Sequence, residues 1–247
     1  MSGFRTDVRD WKSPTMKEIR SLISRLGQRQ LTVPQFQKEV LRVYREGDMW
    51  GQLSPWIDGC IAKKEDRILW REIKATRNFT LQLLYMAPNT AHPPHYHFNH
   101  VSTQLMMAGR MRAREYERIA RMTDDSVTLM PVYDGVHEVG DTMQTAEFHR
   151  NVHWFAAETE PTVFLNFNVH GLERETFEPD TGQHKGRNTI DPTVGGNERH
   201  LIGHKMDIEK AEEKFAHRSI DDFPLIIPVE KNTRPQRVSP RPRRRAA

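Results

Sequence analysis

The chain has 247 residues, of which 36 % are hydrophobic and 9 % aromatic, enough apolar material for one core. No apolar run approaches the roughly 20 residues that a membrane-spanning helix requires, and Met1–Trp11 holds no apolar stretch resembling a signal peptide. Seven Lys and Arg residues and no acid stand between Lys231 and Ala247, outweighing the whole net charge of +4, so the rest of the chain is net acidic and only its tail is expected to attract nucleic acid.

Residues 1–67 read as an N-terminal helical segment. Ser13 before Pro14 is a helix start, and Met16, Ile19, Leu22, Ile23 and Leu26 recur at helical spacing up to Gly27. Thr32 opens a second helix with a Phe36, Val40, Tyr44 stripe that ends at Gly47. Both helices are expected to pack on the main core or a partner subunit. Cys60 is the one cysteine and can form no internal disulfide, so a reducing cytoplasm is the expected compartment.

Between 68 and 171 the pattern becomes that of strands. Asn78–Met86, Thr103–Met107, Arg110–Tyr116, Val127–Val132, Asp141–Thr145 and Thr162–Val169 are short, rich in apolar residues and separated by turn residues. Many short strands with little helix between them indicate a mainly β fold, a sandwich or barrel. Residues 172–230 turn polar and read as an irregular C-terminal extension packing on the barrel or a partner, with a short helix over Asp207–Arg218. Residues 231–247 read as a disordered basic tail rich in Pro and Arg.

Four histidines crowd the segment AHPPHYHFNH, residues 91–100. Pro93 and Pro94 suggest a loop that enters a strand near His95. Residues two apart on a strand share a face, so His95 and His97 can reach one metal ion. By the same parity His92 and His100 point the other way, and they are expected at the surface or behind the ligands, as are His137 and His170.

The order His95-x-His97, strand Thr103–Met107, Gly109, then Gly140–Asp141 and Asn151–Val152–His153–Trp154–Phe155 before a closing strand resembles the cupin superfamily over about residues 68–171. The resemblance implies a single cupin-type antiparallel β-barrel, a jelly roll, with a metal held by His95, His97 and His153. His149 rivals His153, which is favoured because apolar residues flank it as in a strand. Where many cupins place a glutamate ligand this chain has Ser102, with Gln104 nearby, and the second motif has Ala146 and Phe148 where proline and glycine are usual.

Three neutral histidines and no carboxylate leave the full charge of a divalent ion and open coordination positions. The set is similar to that of the three-histidine, thiol dioxygenase-like cupins. It implies an Fe(II) dioxygenase that binds a small anionic substrate and O2, with zinc, manganese or nickel as alternative metals. A non-oxidative lyase, isomerase or hydrolase with Glu147 or Glu138 as base, or a non-catalytic small-molecule binder, are the alternative readings. Arg110, Arg112 and Arg114 share one face of a strand, where Arg112 or Arg110 is a candidate clamp for a substrate carboxylate, and Tyr133, with Tyr85 and Tyr116, is a candidate hydroxyl donor. A homodimer is expected from the resemblance.

Overall fold

A computed structural model describes residues 10–98, 100–123, 125–147, 149–172, 187–197, 199–225, 227, 229 and 237–238. Nearly all of the basic tail therefore lies outside the described residues. Its Arg237 and Val238 are seen, bridged to Asp141 and Gly140 at the start of a core strand.

Three helices precede the strands: α1 (Pro14–Gly27), α2 (Val33–Glu46) and α3 (Met49–Ala62). The first two start as their sequence dictates. The Ser13 hydroxyl accepts the Met16 amide, and Thr32 and Gln35 form a reciprocal capping box. The third is capped by Asp48 in a left-handed conformation and carries Pro55 inside it. Their apolar faces, including Ile19, Phe36, Val40 and Leu53, bury one side of a β-sheet. Gln37 fixes the docking by donating to the carbonyls of Ser102 and Thr145, and the Tyr44 hydroxyl donates to that of Thr103.

That sheet has five antiparallel strands in the order β1 (Leu69–Ala75), β2 (Phe79–Met86), β9 (Thr162–His170), β4 (His100–Ala108) and β7 (Thr142–Ala146). The other six strands form a closed antiparallel barrel. Its order is β10 (Arg187–Gly196), β11 (Leu201–Lys205), β6 (Ser126–His137), β5 (Met111–Thr123), β8 (Val152–Ala157) and β3 (Thr90–His97), with β10 pairing back onto β3. The mainly β architecture with N-terminal helices agrees with the expectation from sequence. The C-terminal extension is more regular than expected, since β10 and β11 close the barrel between β3 and β6. The short helix is α4 (Ile208–Phe215).

Alternation along the barrel strands sends side chains into two different cores. Tyr96, Tyr116, Leu129, Val152, Ile190 and Leu201, one from each barrel strand, fill the inside of the closed barrel. Met111, Ala113, Tyr133 and Phe155 face outward to Leu84, Met106 and Phe164 of the five-stranded sheet. The α4 helix covers Trp154 and Ala156 with Ala211 and Phe215. Gly109 turns the chain from β4 to β5 at φ 75°, where a Cβ would collide with the carbonyl oxygen of Pro161; only glycine fits there.

Candidate metal centre

β3 runs from Thr90 through both prolines to His97. It pairs with β8 at His92↔Phe155 and again at His95↔His153, so three steps along β3 match two along β8. The prolines thus sit in a one-residue bulge, where the missing N–H groups break no ladder. The bulge shifts the alternation by one residue. His92 therefore faces the same side as His95, with their Nδ1 atoms 3.1 Å apart. This corrects the parity argument: His92 is buried and lines the site.

His95, His97 and His153 come together. One ring nitrogen from each lies within 4.8 Å of the others, and rings 95 and 153 have their centroids 4.3 Å apart. His95 and His153 are buried and His97 is half-buried. The His95 Nδ1–H donates to the Pro93 carbonyl at 2.8 Å, which leaves Nε2 with its lone pair free to bind. Asn151 accepts from the His97 amide and donates to the His97 carbonyl and to that of Glu147, tying the end of β3 to the start of β8. His149, by contrast, is half exposed on Glu117 and away from the cluster, so His153 is the histidine that joins the pair.

Burial, and then the surrounding imidazoles, hold His95 and His97 well below the ordinary histidine range. Burial lowers His153 to about 4, against the opposing pull of the Glu115 carboxylate that faces it across the β5–β8 ladder. All three are neutral at pH 7, the state in which imidazole binds a metal. Burial would raise Glu115, but contact with His137 at 3.5 Å and with Arg150 at 3.0 Å keeps it lowered. The donor set therefore fits one divalent ion held by three neutral nitrogens. Among the described residues His153 Nδ1 has no hydrogen-bond partner.

The cluster opens into a cavity of about 410 Å³ between the barrel and the five-stranded sheet. Leu84, Phe155 and Phe164 form its apolar floor, and the exposed Trp70, near the start of the edge strand β1, and Arg77, in the turn after it, are also among its lining residues. The opposite wall is polar and in register: Gln82, Asn166 and Gln104 form one row across β2, β9 and β4, and Thr80, Asn168 and Ser102 the next. Ser102, at the position where many cupins carry a glutamate, donates to Asn166 Oδ1. Beyond them His100 and His170 lie 3.4 Å apart, and His170 Nε2 is 3.2 Å from the Thr80 hydroxyl. Of the two expected placements, at the surface or behind the ligands, these four do not take the first: His92, His100 and His170 line this cavity and His137 lies in the interior with no exposed surface.

Arg112 and Tyr133 do not reach the cavity. Arg112 lies on the opposite face of β5, paired with Asp134 at 2.5 Å and Asp221 at 2.8 Å. Arg114 beside it donates to the Phe223 carbonyl, and Arg110 is largely exposed. The Tyr133 ring stacks on His137 in the interior core, and its hydroxyl donates to the Val136 carbonyl. Tyr85 donates to Glu65, and Tyr116 belongs to the inside of the barrel. Glu147 is locked to Arg118 at 2.7 Å, and Glu138 is exposed between Arg110 and Arg237. Sequence reasoning passed over Trp70, Gln82, Asn166 and Asn168; the signal was the polar alternation of NFTLQ and FLNFN within otherwise apolar strands.

No protein-family model matches the chain, and no curated protein matches it. Among solved structures it is similar to an RmlC-like cupin family protein with a double-stranded β-helix fold from Methanocaldococcus jannaschii. Identity is 12 % over 45 % of this chain and 87 % of that one, with a TM-score of 0.31. It is also similar to a DMSP lyase from Ruegeria pomeroyi, 16 % identical over 44 % of this chain and 50 % of the lyase, TM-score 0.31. A third is an L-ribose isomerase from Cellulomonas parahominis, 16 % identical over 45 % and 58 %, TM-score 0.32. The matched part spans about half the length of the lyase and of the isomerase, and at these values none of the three lends its activity to this chain.

Proposed function

We propose that this protein is a mononuclear metal enzyme of the cupin type, and that the metal is Fe(II) serving dioxygenase chemistry on a small molecule. The observation that carries the reading is the convergence of His95, His97 and His153, all neutral, at the wall of a cavity large enough for a small ligand. Three neutral donors leave a divalent ion its whole charge and its remaining positions for an anionic head group. Bound Fe(II) would supply redox reactivity toward O2.

The residues of the chain do the rest. The Pro93 carbonyl sets the His95 tautomer, Asn151 holds His97 in place, and Leu84, Phe155 and Phe164 keep water from the floor. Among the described residues no carboxylate, lysine or tyrosine lines the cavity. A second reading, a non-oxidative lyase or isomerase, draws support from His100, which burial holds well below the ordinary histidine range and which could accept a substrate proton in the same cavity, with His170 beside it.

Iron-loaded protein under anaerobic conditions, then mixed with air-saturated buffer and candidate chelating substrates, separates the two. O2 consumption that needs both iron and substrate is expected. Turnover without O2 uptake would replace it with the second reading. Folded protein that takes up no metal would mean a non-catalytic binder.

A further inference from the structure

We infer that the ligand of this cavity is a small polyhydroxylated acid or carbonyl compound, its charged or enolisable end at the histidine cluster and its hydroxyls on the amide wall. This rests on the metal-centre reading for the head group, while the body of the ligand is read from the wall alone.

The wall is an ordered array of neutral groups. Three adjacent antiparallel strands place Gln82, Asn166 and Gln104 side by side, facing the histidines across the cavity. Gln104, Asn166 and Asn168 are each at least nine-tenths buried, which is unusual for amides in a β core unless a partner meets them. Among the described residues Gln104 Oε1 and Asn168 Oδ1 find no hydrogen-bond partner, whereas the Asn166 oxygen already accepts from Ser102. The wall thus offers two acceptors without donors and the amide N–H2 of Asn166.

A hydroxyl both donates and accepts, and so fits such a surface at every position. A second carboxylate only accepts and would face the Gln104 and Asn168 oxygens without a cation to offset them. The one cationic side chain among the described lining residues is Arg77, which is exposed. A purely apolar chain would leave both oxygens unpaired, at a cost in affinity. Trp70 adds the matching apolar element: it is 47 % exposed, lines the same cavity and sits edge-on to His92 at 5.8 Å. Its free face suits the C–H face of a polyol carbon chain.

The test is ligand-observed NMR and calorimetry with a set of stereoisomeric C5 and C6 aldonates against hexanoate, which shares the carboxylate and chain length but lacks the hydroxyls. Metal-loaded protein is expected to bind at least one aldonate more than tenfold tighter than hexanoate. Asn166→Leu and Gln104→Leu should each erase most of that preference while metal content and the circular dichroism spectrum stay unchanged. Chelator-treated protein should bind all of them more weakly and still prefer the aldonate. Hexanoate binding as well as every aldonate would overturn the inference, as would a preference that survives both substitutions. Failure of the metal-centre reading looks different: no metal is bound, and removing metal changes no affinity.

Discussion

A buried imidazole keeps the lone pair that a metal needs only while it stays unprotonated, and this ties the site to acid stability. His153 has its pKa lowered to about 4 by burial, whereas in the unfolded chain it titrates near the ordinary value of about 6.5. As pH falls between these values the unfolded state takes up the proton first, so stability is complete above about 6.5 and is lost toward 4. For the metal-free protein His153 alone should remove about 2 kcal/mol between pH 7 and pH 5. His95, His97 and His100 are lowered by the same cause and act in the same direction. Urea denaturation of chelator-treated protein at the two pH values should show a clearly lower midpoint at pH 5; equal midpoints would mean that these rings are hydrated and not buried as described. The His95–His97 pair was legible because it needs only alternation. His92 was misplaced because two prolines introduce a bulge, and alternation counted through a bulge assigns the wrong face. Arg112 fell on the far face of β5 from Glu115 and Tyr133, a parity that residue spacing fixes only once the ladder is known.

At the level of elements, the cluster depends on how β3 and β8 are tied together. Asn151 makes three hydrogen bonds at that junction, two across it to the backbone of His97 and one to the Glu147 carbonyl on its own side. Asn151→Ala should cost about 2–3 kcal/mol, at roughly 1 kcal/mol per bond, read from the shift in denaturation midpoint. It should also weaken metal binding, because His97 would no longer be held against His153. Unchanged metal affinity would show that the ladder itself positions His97. The first two helices and most of the strands were visible in sequence, where an apolar stripe or an alternating run has a clear start. The third helix was not, since Gly51, Pro55 and Gly59 interrupt it and its cap, Asp48, adopts a left-handed backbone. β10 and β11 were hidden for a related reason. With Asp191, Pro192, Gly195 and Gly196 along β10, they read as turn residues and become strands only by pairing with β3 and β6.

Across the whole molecule, one sheet is buried on both sides, by the helices on one face and by the barrel strands on the other. The barrel in turn needs the C-terminal pair β10–β11 to close. A fragment spanning residues 68–171, the range legible as a barrel in sequence, lacks both the helical cover and the closing hairpin. It should be insoluble or unfolded on expression, exposing Leu81, Leu83, Leu105 and Phe167 together with the open edges of β3 and β6. A soluble fragment with native-like circular dichroism would show the helices and hairpin to be accessories. The fold brings His95, His97 and His153 together at the wall of one cavity, and the proposed function requires that they hold one ion. Elemental analysis of protein purified without oxygen, beside His97→Ala, tests it most directly. Close to one iron per chain is expected in the parent and almost none in a variant that keeps its fold. Equal metal in both proteins, or none in either after iron loading, would contradict it.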